Sequence, residues 1–240
     1  MIDQSVRIRN LCTKNGLVIS EAALSQIITY GELLLVWNQK INLISRRDEE
    51  NIFERHILIC ISLLFKFRIP GQANIVDIGT GGGLPGIPFA ILLPECRMTL
   101  LDSIKKKMTA VNEIVKELKL PNADIVTGRA EEIAREPKYR GLYTHVLSRA
   151  AASITDIAKW ATPLLSKTTR ESDALHASIG GRRLIPSGTI VLYKGGDLTG
   201  ELEEARKRNP SRKITVENLV IEGIDPSLAH DKKLVFINEQ

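Results

Sequence analysis

The chain is poor in the residues that build metal centres, disulfide frameworks and membrane spans. It has three cysteines, Cys12, Cys60 and Cys96, in 240 residues. Their odd number and wide spacing exclude the paired patterns of a zinc site or a disulfide-stapled fold. Cys60 lies within the apolar run "HILICISLLF", where a thiol serves as a small hydrophobe. The four histidines, His56, His145, His176 and His230, are equally scattered, so no metal is expected. No apolar run reaches the roughly 18 to 20 residues of a membrane span, and the opening "MIDQSVRIRNLCTKN" is too charged for a secretory leader. A cytoplasmic protein without a membrane role is expected, and no apolar stripe is left over to demand a second subunit.

What is present is a core-forming composition, 43% apolar, with 33 Lys and Arg against 28 Asp and Glu. The excess of positive charge mildly favours a polyanionic partner. Residues 1–70 read as helical. Ser20 suits an N-cap for a helix whose Leu24, Ile27, Ile28, Leu34, Leu35 and Ile41 share a stripe, and a further helix is expected over "DEENIFERHILICISLLFKF". "RIPGQ" ends it and marks a module boundary.

Residues 71–240 have a different texture, in which short apolar runs alternate with amphipathic segments as in a βαβ sheet. "NIVDI", "RMTLLD", "ADIVTG", "THVLSRA" and "TIVLYKG" read as strands. "LPGIPFAILL", "KKKMTAVNEIVKELKL" and "SITDIAKWATPLL" read as helices. "KITVENLVI" and "KKLVFINEQ" close the chain as an antiparallel edge hairpin with no helix between them. The polar stretch 166–185 is expected to be an irregular, mobile loop.

"NIVDIGTGGGLPG" places five glycines directly after the first strand. A bend without side chains lets a ligand lie against the backbone. "GGGLPG" with Asp102 some 20 residues beyond suits a dinucleotide, but three features favour S-adenosylmethionine. Asp77 stands where a carboxylate meets the amino group of a bound methionine, the alternative being a cap for the turn's amides. Pro85 and Pro88 remove amide donors that a pyrophosphate needs at the helix start. "GRAEE" after the third strand is placed to meet an adenine edge. Asp102 at the tip of "LLDS" suits two ribose hydroxyls, although it could instead cap the lysine-rich helix in competition with Ser103.

Together, "VDIGTGGGLPGIPFAI", "LLDSIKKK", "GRAEE", "SRA" and "WNQKINLIS" resemble the bacterial small-subunit rRNA guanine-N7 methyltransferases, the glucose-inhibited division protein B family, over nearly the whole chain. The resemblance implies a class I methyltransferase domain, a Rossmann-like α/β fold with a mixed, mostly parallel seven-stranded sheet and helices on both faces, behind an N-terminal helical region. It also implies methyl transfer from S-adenosyl-L-methionine to N7 of a guanine in a loop of 16S rRNA.

On that basis Gly79, Gly81 and Leu84 would join Asp77 and Asp102 around the cofactor, with Ala130 and Glu131 beside the adenine. Arg149 would lie beside both cofactor and target base. Arg149, Lys194 and Lys106 are the candidates for catalytic work, and Asn38, Asn42, Lys106 and Arg129 for RNA binding. Trp37 reads as core filler, and the two asparagines either line the substrate entrance or end the helix. Arg46, Arg47, Lys105, Lys106, Lys107, Arg182, Arg183, Arg206, Lys207 and Arg208 are candidates for a phosphate-gripping surface. Where the family has a short turn before "TIVLYKG", this chain has the long 166–185 stretch, which leaves the path to Lys194 open. The alternatives are a methyltransferase acting on another RNA or on protein, a cofactor-binding ribosome-assembly factor, and, more distantly, an NAD-dependent oxidoreductase.

Overall fold

A computed structural model of the chain describes residues 3–167, 178–179 and 181–239. Strands β1 (Asn74–Ile78), β2 (Arg97–Asp102), β3 (Ala123–Thr127), β4 (His145–Arg149), β5 (Thr189–Gly195), β6 (Arg212–Asn218) and β7 (Lys232–Glu239) form one sheet. Its order is β3-β2-β1-β4-β5-β7-β6. The first five strands are parallel, and β7 runs antiparallel between β5 and β6. The chain winds outward through β1, β2 and β3, then returns to lay β4 against the other side of β1. That reversal opens a crevice beyond the carboxyl ends of β1 and β4, where open α/β sheets bind ligands.

Helices cover both faces, so the central strands are continuous apolar runs. In β1, Ile75 belongs to one core cluster and Val76 and Ile78 to the other, as the alternation of a strand requires. On the first face lie α1 (Gln4–Lys14), α2 (Glu21–Asn38), α3 (Gly86–Leu92) and α4 (Lys105–Glu117). Ser20 caps α2 by accepting from the Ala23 amide. Leu24, Ile27, Tyr30 and Leu34 of α2 are buried with Phe89 of α3 and Met108 and Val111 of α4 in one cluster. Each such side chain contributes roughly 1.5–3 kcal/mol on leaving water. On the second face α5 (Ile154–Ala161), capped by Ser153, buries Ile154, Ile157 and Ala158. α6 (Thr199–Arg208) lies alongside it.

Four details depart from the expectations. The helix expected over residues 48–67 is a chain of helical segments of changing pitch: Arg46–Asn51 is 3₁₀, Phe53–Leu58 is π, and Ile59–Ile61 and Leu63–Lys66 are α. α6 was not foreseen, because it is rich in charge and Ala205 is its single fully buried residue. The last two strands are separated by a helical turn, Pro226–Ala229, capped by Asp225.

The fourth departure is in the 166–185 stretch, of which 168–177 and 180 lie outside the described residues. Its end is not irregular. Arg182–Leu184 pairs in parallel with Phe67–Arg68 and antiparallel with Ser178–Ile179. Arg183 stacks over Phe67, 4.3 Å from the ring centroid, and forms an ion pair with Glu217. Arg182 donates to the Leu64 carbonyl at 3.1 Å. These two arginines are therefore committed to the fold and are poor members of a phosphate-gripping surface.

Gly79 ends β1 with φ of +73°, and a Cβ there would sit 2.3 Å from Cβ of Ala151. A side chain is thus excluded by both the left-handed backbone and the neighbouring strand end. Gly79→Ala is expected to lower unfolding stability by about 1–3 kcal/mol from these two costs. Urea denaturation checks this, and a loss below about 0.5 kcal/mol would show that the bend accepts a side chain.

Candidate active site

The crevice holds a cavity of about 510 Å³. One wall is the glycine bend, Gly79 to Gly82 with Leu84. The others are the end of β2 (Leu101, Asp102), Ile104 and Lys107 at the start of α4, Arg129 to Glu131, and Arg149 to Ala151 after β4. Leu43, Ile44, His56 and Trp160 complete it.

The bend is held from beneath by Asp77. Its Oδ2 accepts from Thr80 Oγ1 at 2.6 Å and from the Gly86 amide at 2.9 Å, so one oxygen ties both ends of the glycine run. Asp77 is fully buried, and burial pushes its carboxyl up to about 7 despite those two donors. It does not line the cavity, and the contacts of its Oδ2 are those of the turn-capping alternative, while its Oδ1 is buried without a partner. As a strand residue of the same parity as Ile75, Asp77 points into the face covered by α3, where Gly86 approaches it.

Asp102 does face the cavity. Its Oδ2 accepts from the Gly81 amide at 3.0 Å and its Oδ1 from the Ile104 amide at 2.9 Å. Each carboxylate oxygen keeps a further lone pair, so the group can fix the bend and still receive two hydroxyls. Gly79, Gly81, Leu84, Ala130, Glu131 and Arg129 also line the cavity, with Arg129 Nη1 3.6 Å from Glu131 Oε1.

Arg149 is anchored by the N-terminal region. Nη1 donates to Cys60 Sγ at 3.3 Å, and Nη2 to the Arg55 carbonyl at 3.4 Å and to His56 Nδ1 at 2.6 Å. Because a guanidinium only donates, Nδ1 accepts and the histidine proton is on Nε2. Nε2 stands 3.3 Å from Asp48 Oδ2, an ion-pair distance without good hydrogen-bond alignment. Burial, then the Arg149 charge, holds His56 down at about 4, so the ring is neutral near pH 7.

Four candidates fall elsewhere. Asn38 is buried: its Oδ1 accepts from the Leu43 and Ile44 amides at 2.8 and 2.9 Å, and its Nδ2 donates to Glu49. It shapes the loop that carries two cavity residues and does not itself line the cavity, while Asn42 is exposed and does not line it either. Lys106 points away from the cavity and Lys107 lines it, because consecutive helix residues diverge by about 100°. Lys194 lies outside the cavity, with Nζ 2.8 Å from the Ala152 carbonyl and 2.7 Å from Glu201 Oε1. It lines a separate space of about 160 Å³ with Arg149, Tyr193 and Lys232. Its ammonium is thus paired with Glu201 and faces away from the larger cavity.

His56, Leu43, Ile44 and Trp160 were missed, and Lys107 was expected only on the phosphate-gripping surface. Leu43 and Ile44 lie inside the quoted "WNQKINLIS", a usable signal. Nothing local in the sequence marks His56.

A strand order of 3-2-1-4-5-7-6, a glycine bend after β1 and a carboxylate at the tip of β2 define a class I methyltransferase. Solved structures agree on the fold. A SAM-dependent methyltransferase from Aquifex aeolicus matches with a TM-score of 0.52 at 11% identity, over 80% of this chain and 94% of that one. A fibrillarin/Nop5p complex matches with a TM-score of 0.53 at 13% identity, over 75% and 80%.

The family model for rRNA small subunit methyltransferase G matches residues 23–171. Ribosomal RNA small subunit methyltransferase G of Chlorobium luteolum is 32% identical over 97% of this chain and 89% of its own length. The protein of the same name from Alkaliphilus oremlandii is 36% identical over 79% and 71%. The chain belongs to this rRNA small subunit methyltransferase G family, and its cofactor is S-adenosyl-L-methionine.

The residues present fit that cofactor. Gly79 and Gly81 leave the bend without side chains, Asp102 offers acceptors where ribose hydroxyls would lie, and Ile104, Ala130 and Trp160 give apolar surface for a purine.

Asp102→Ala is expected to weaken S-adenosylhomocysteine binding about 10- to 100-fold through lost charged hydrogen bonds. Calorimetry giving equal affinity would remove the ribose assignment.

Asp77 makes a second prediction. Its folded value near 7 lies above the ordinary 3.8, so its contribution to stability is complete below about pH 4 and is lost as pH rises through 7. Relative to Asp77→Asn, whatever the variant's baseline, the wild type should lose on the order of a few kcal/mol between pH 4 and pH 8. Parallel stability profiles for the two proteins would contradict this.

Proposed function

We propose that the protein transfers the methyl group to N7 of one unpaired guanine in 16S rRNA, on the small ribosomal subunit or its assembling precursor. When bound, the cofactor supplies a methyl carbon made electrophilic by a sulfonium. N7 of guanine carries an in-plane lone pair and no proton, so its attack requires alignment and no general base.

The observation that carries this choice is the state of the titratable groups around the cavity. Asp77 is sealed under the bend, His56 Nδ1 is occupied by Arg149, and both oxygens of Asp102 hold backbone amides. Each of these groups holds backbone or Arg149, Asp102 keeping a lone pair on each oxygen for a ribose hydroxyl, and Glu131 beside them faces Arg129. Such a site suits a nucleophile that has no proton to lose, where holding nucleophile and methyl in line can supply roughly 7–11 kcal/mol.

N7 lies in the major groove, which in A-form RNA is too deep and narrow for side chains. The target therefore belongs to a loop, and Arg46, Arg47, Lys105 and Arg129, all exposed near the chain segments that wall the cavity, are the cations suited to its phosphates. Gly79, Gly81, Leu84, Asp102, Ala130 and Glu131 are assigned to the cofactor and Arg149 to the target base. Among the described residues no helix is long and apolar enough to cross a membrane. A monomeric, cytoplasmic enzyme goes with this proposal.

Ribosomal RNA from a strain lacking the gene should lose one N7-methylguanosine, detected by borohydride and aniline cleavage. The purified protein should restore it on the deficient subunits. A site that stays modified in the deletion strain would refute the substrate assignment.

A further inference from the structure

Arg149 is the basic side chain at the junction of the cofactor cavity and the neighbouring smaller one. Its contacts limit how it can meet a base. Free arginine reads guanine by a two-pronged contact, one N–H to O6 and one to N7. In this reaction that contact is unproductive, because a donor on N7 occupies the lone pair that must attack the methyl carbon. A guanidinium has two such forks, one through Nε and Nη2 and one through Nη1 and Nη2. Both require a hydrogen of Nη2. Here the two Nη2 hydrogens are directed at the Arg55 carbonyl, 3.4 Å away, and at His56 Nδ1, 2.6 Å away.

We infer that His56 is a positioning residue: it holds Nη2 of Arg149, so that the guanidinium meets the target guanine through a single N–H and leaves N7 open. This rests on the N7 assignment proposed above. His56 is suited to the task because it is 7% exposed and cannot swing away. Its Nε2 is turned to Asp48, which is also 3.4 Å from Nη1 of Arg55. With Nδ1 accepting from Arg149, the ring proton is on Nε2, on the side of the Asp48 carboxylate. Phe53–Leu58, the π segment, delivers both the Arg55 carbonyl and the His56 ring to the same nitrogen. Wide-turn segments of this kind inside helical stretches are frequent at functional sites. The guanidinium retains Nε–H and one Nη1–H, enough for a single bond to O6.

The test compares His56→Leu, which removes the acceptor, with His56→Asn, whose side-chain oxygen can stand near the place of Nδ1. Both are assayed on methyl-deficient small subunits, with S-adenosylhomocysteine affinity and thermal unfolding measured alongside. For His56→Leu, kcat is expected to fall by about tenfold or more while KM for the subunit stays level or drops, the signature of a tighter but unproductive contact. Cofactor affinity should stay within about twofold, and His56→Asn should recover to within about threefold of wild type. In an Arg149→Lys background, where no fork exists, His56→Leu should cost little further.

A kcat for His56→Leu within about twofold of wild type would overturn the inference. So would a rise in KM at constant kcat, or a folded His56→Asn as impaired as His56→Leu. Should His56→Leu not fold, His56→Gln takes its place, since its longer side chain carries the acceptor away from Nδ1. The wild-type arm separates the two levels: a wild type that leaves guanine N7 unmodified refutes the substrate proposal itself, and this inference with it.

Discussion

The cavity depends on one buried carboxylate oxygen. Oδ2 of Asp77 receives the Thr80 hydroxyl and the Gly86 amide at once, and by doing so it closes the glycine bend onto the end of β1. Taking a polar group out of water costs free energy unless its bonds are made inside; Oδ2 regains two donors from the ends of the bend, while Oδ1 is buried without a partner. With the bend closed, the Gly81 amide reaches Asp102 on the next strand. One carboxylate shapes the floor from below and the other stands at its rim. The same burial raises Asp77 to about 7, so the fold pays for its bend in stability as the solution becomes less acidic.

The N-terminal helices complete the site. Tyr30 of α2 donates to the Gly82 carbonyl at 3.0 Å, and Leu34 and Leu43 pack where a Gly82 side chain would be. Asn38 then turns the chain so that Leu43 and Ile44 enter the cavity wall. The next helical stretch brings Arg55, His56 and Cys60 to Arg149 at the end of β4. The Tyr193 hydroxyl, from β5, donates to the Cys60 carbonyl and fixes the same stretch to the sheet. Part of the cavity wall and the arginine anchor are thus both supplied by residues preceding the first strand of the sheet.

This division of labour suits a reaction without proton transfer. An acid or base would have to be exposed and poised. Here Asp77, Asp102, His56 and Arg149 are bonded to backbone or to one another, and those bonds hold the shape of the site. The basic groups expected to do chemistry divide accordingly: Lys194 is neutralised by Glu201, Lys106 faces solvent, and Arg149 alone stays at the cavity.

The seven sheet strands, α2 to α5, the glycine bend and Asp102 were legible in the sequence, because each rests on local order: apolar runs, helical stripes, caps and residues that suit turns. Family resemblance, carried by motifs spread along the chain, extended this to the fold order and the reaction. Other features required the tertiary structure. Whether Asp77 meets ligand or backbone depends on how closely Gly86 approaches it. Which of three consecutive lysines reaches the cavity depends on the phase of α4 against the sheet. The junction of His56 with Arg149 joins residues 93 positions apart, and α6 is held by packing that its charged sequence does not announce. Periodicity and turn chemistry are properties of neighbouring residues. Contacts across the crevice arise only when separate elements pack, and there the sequence by itself is silent.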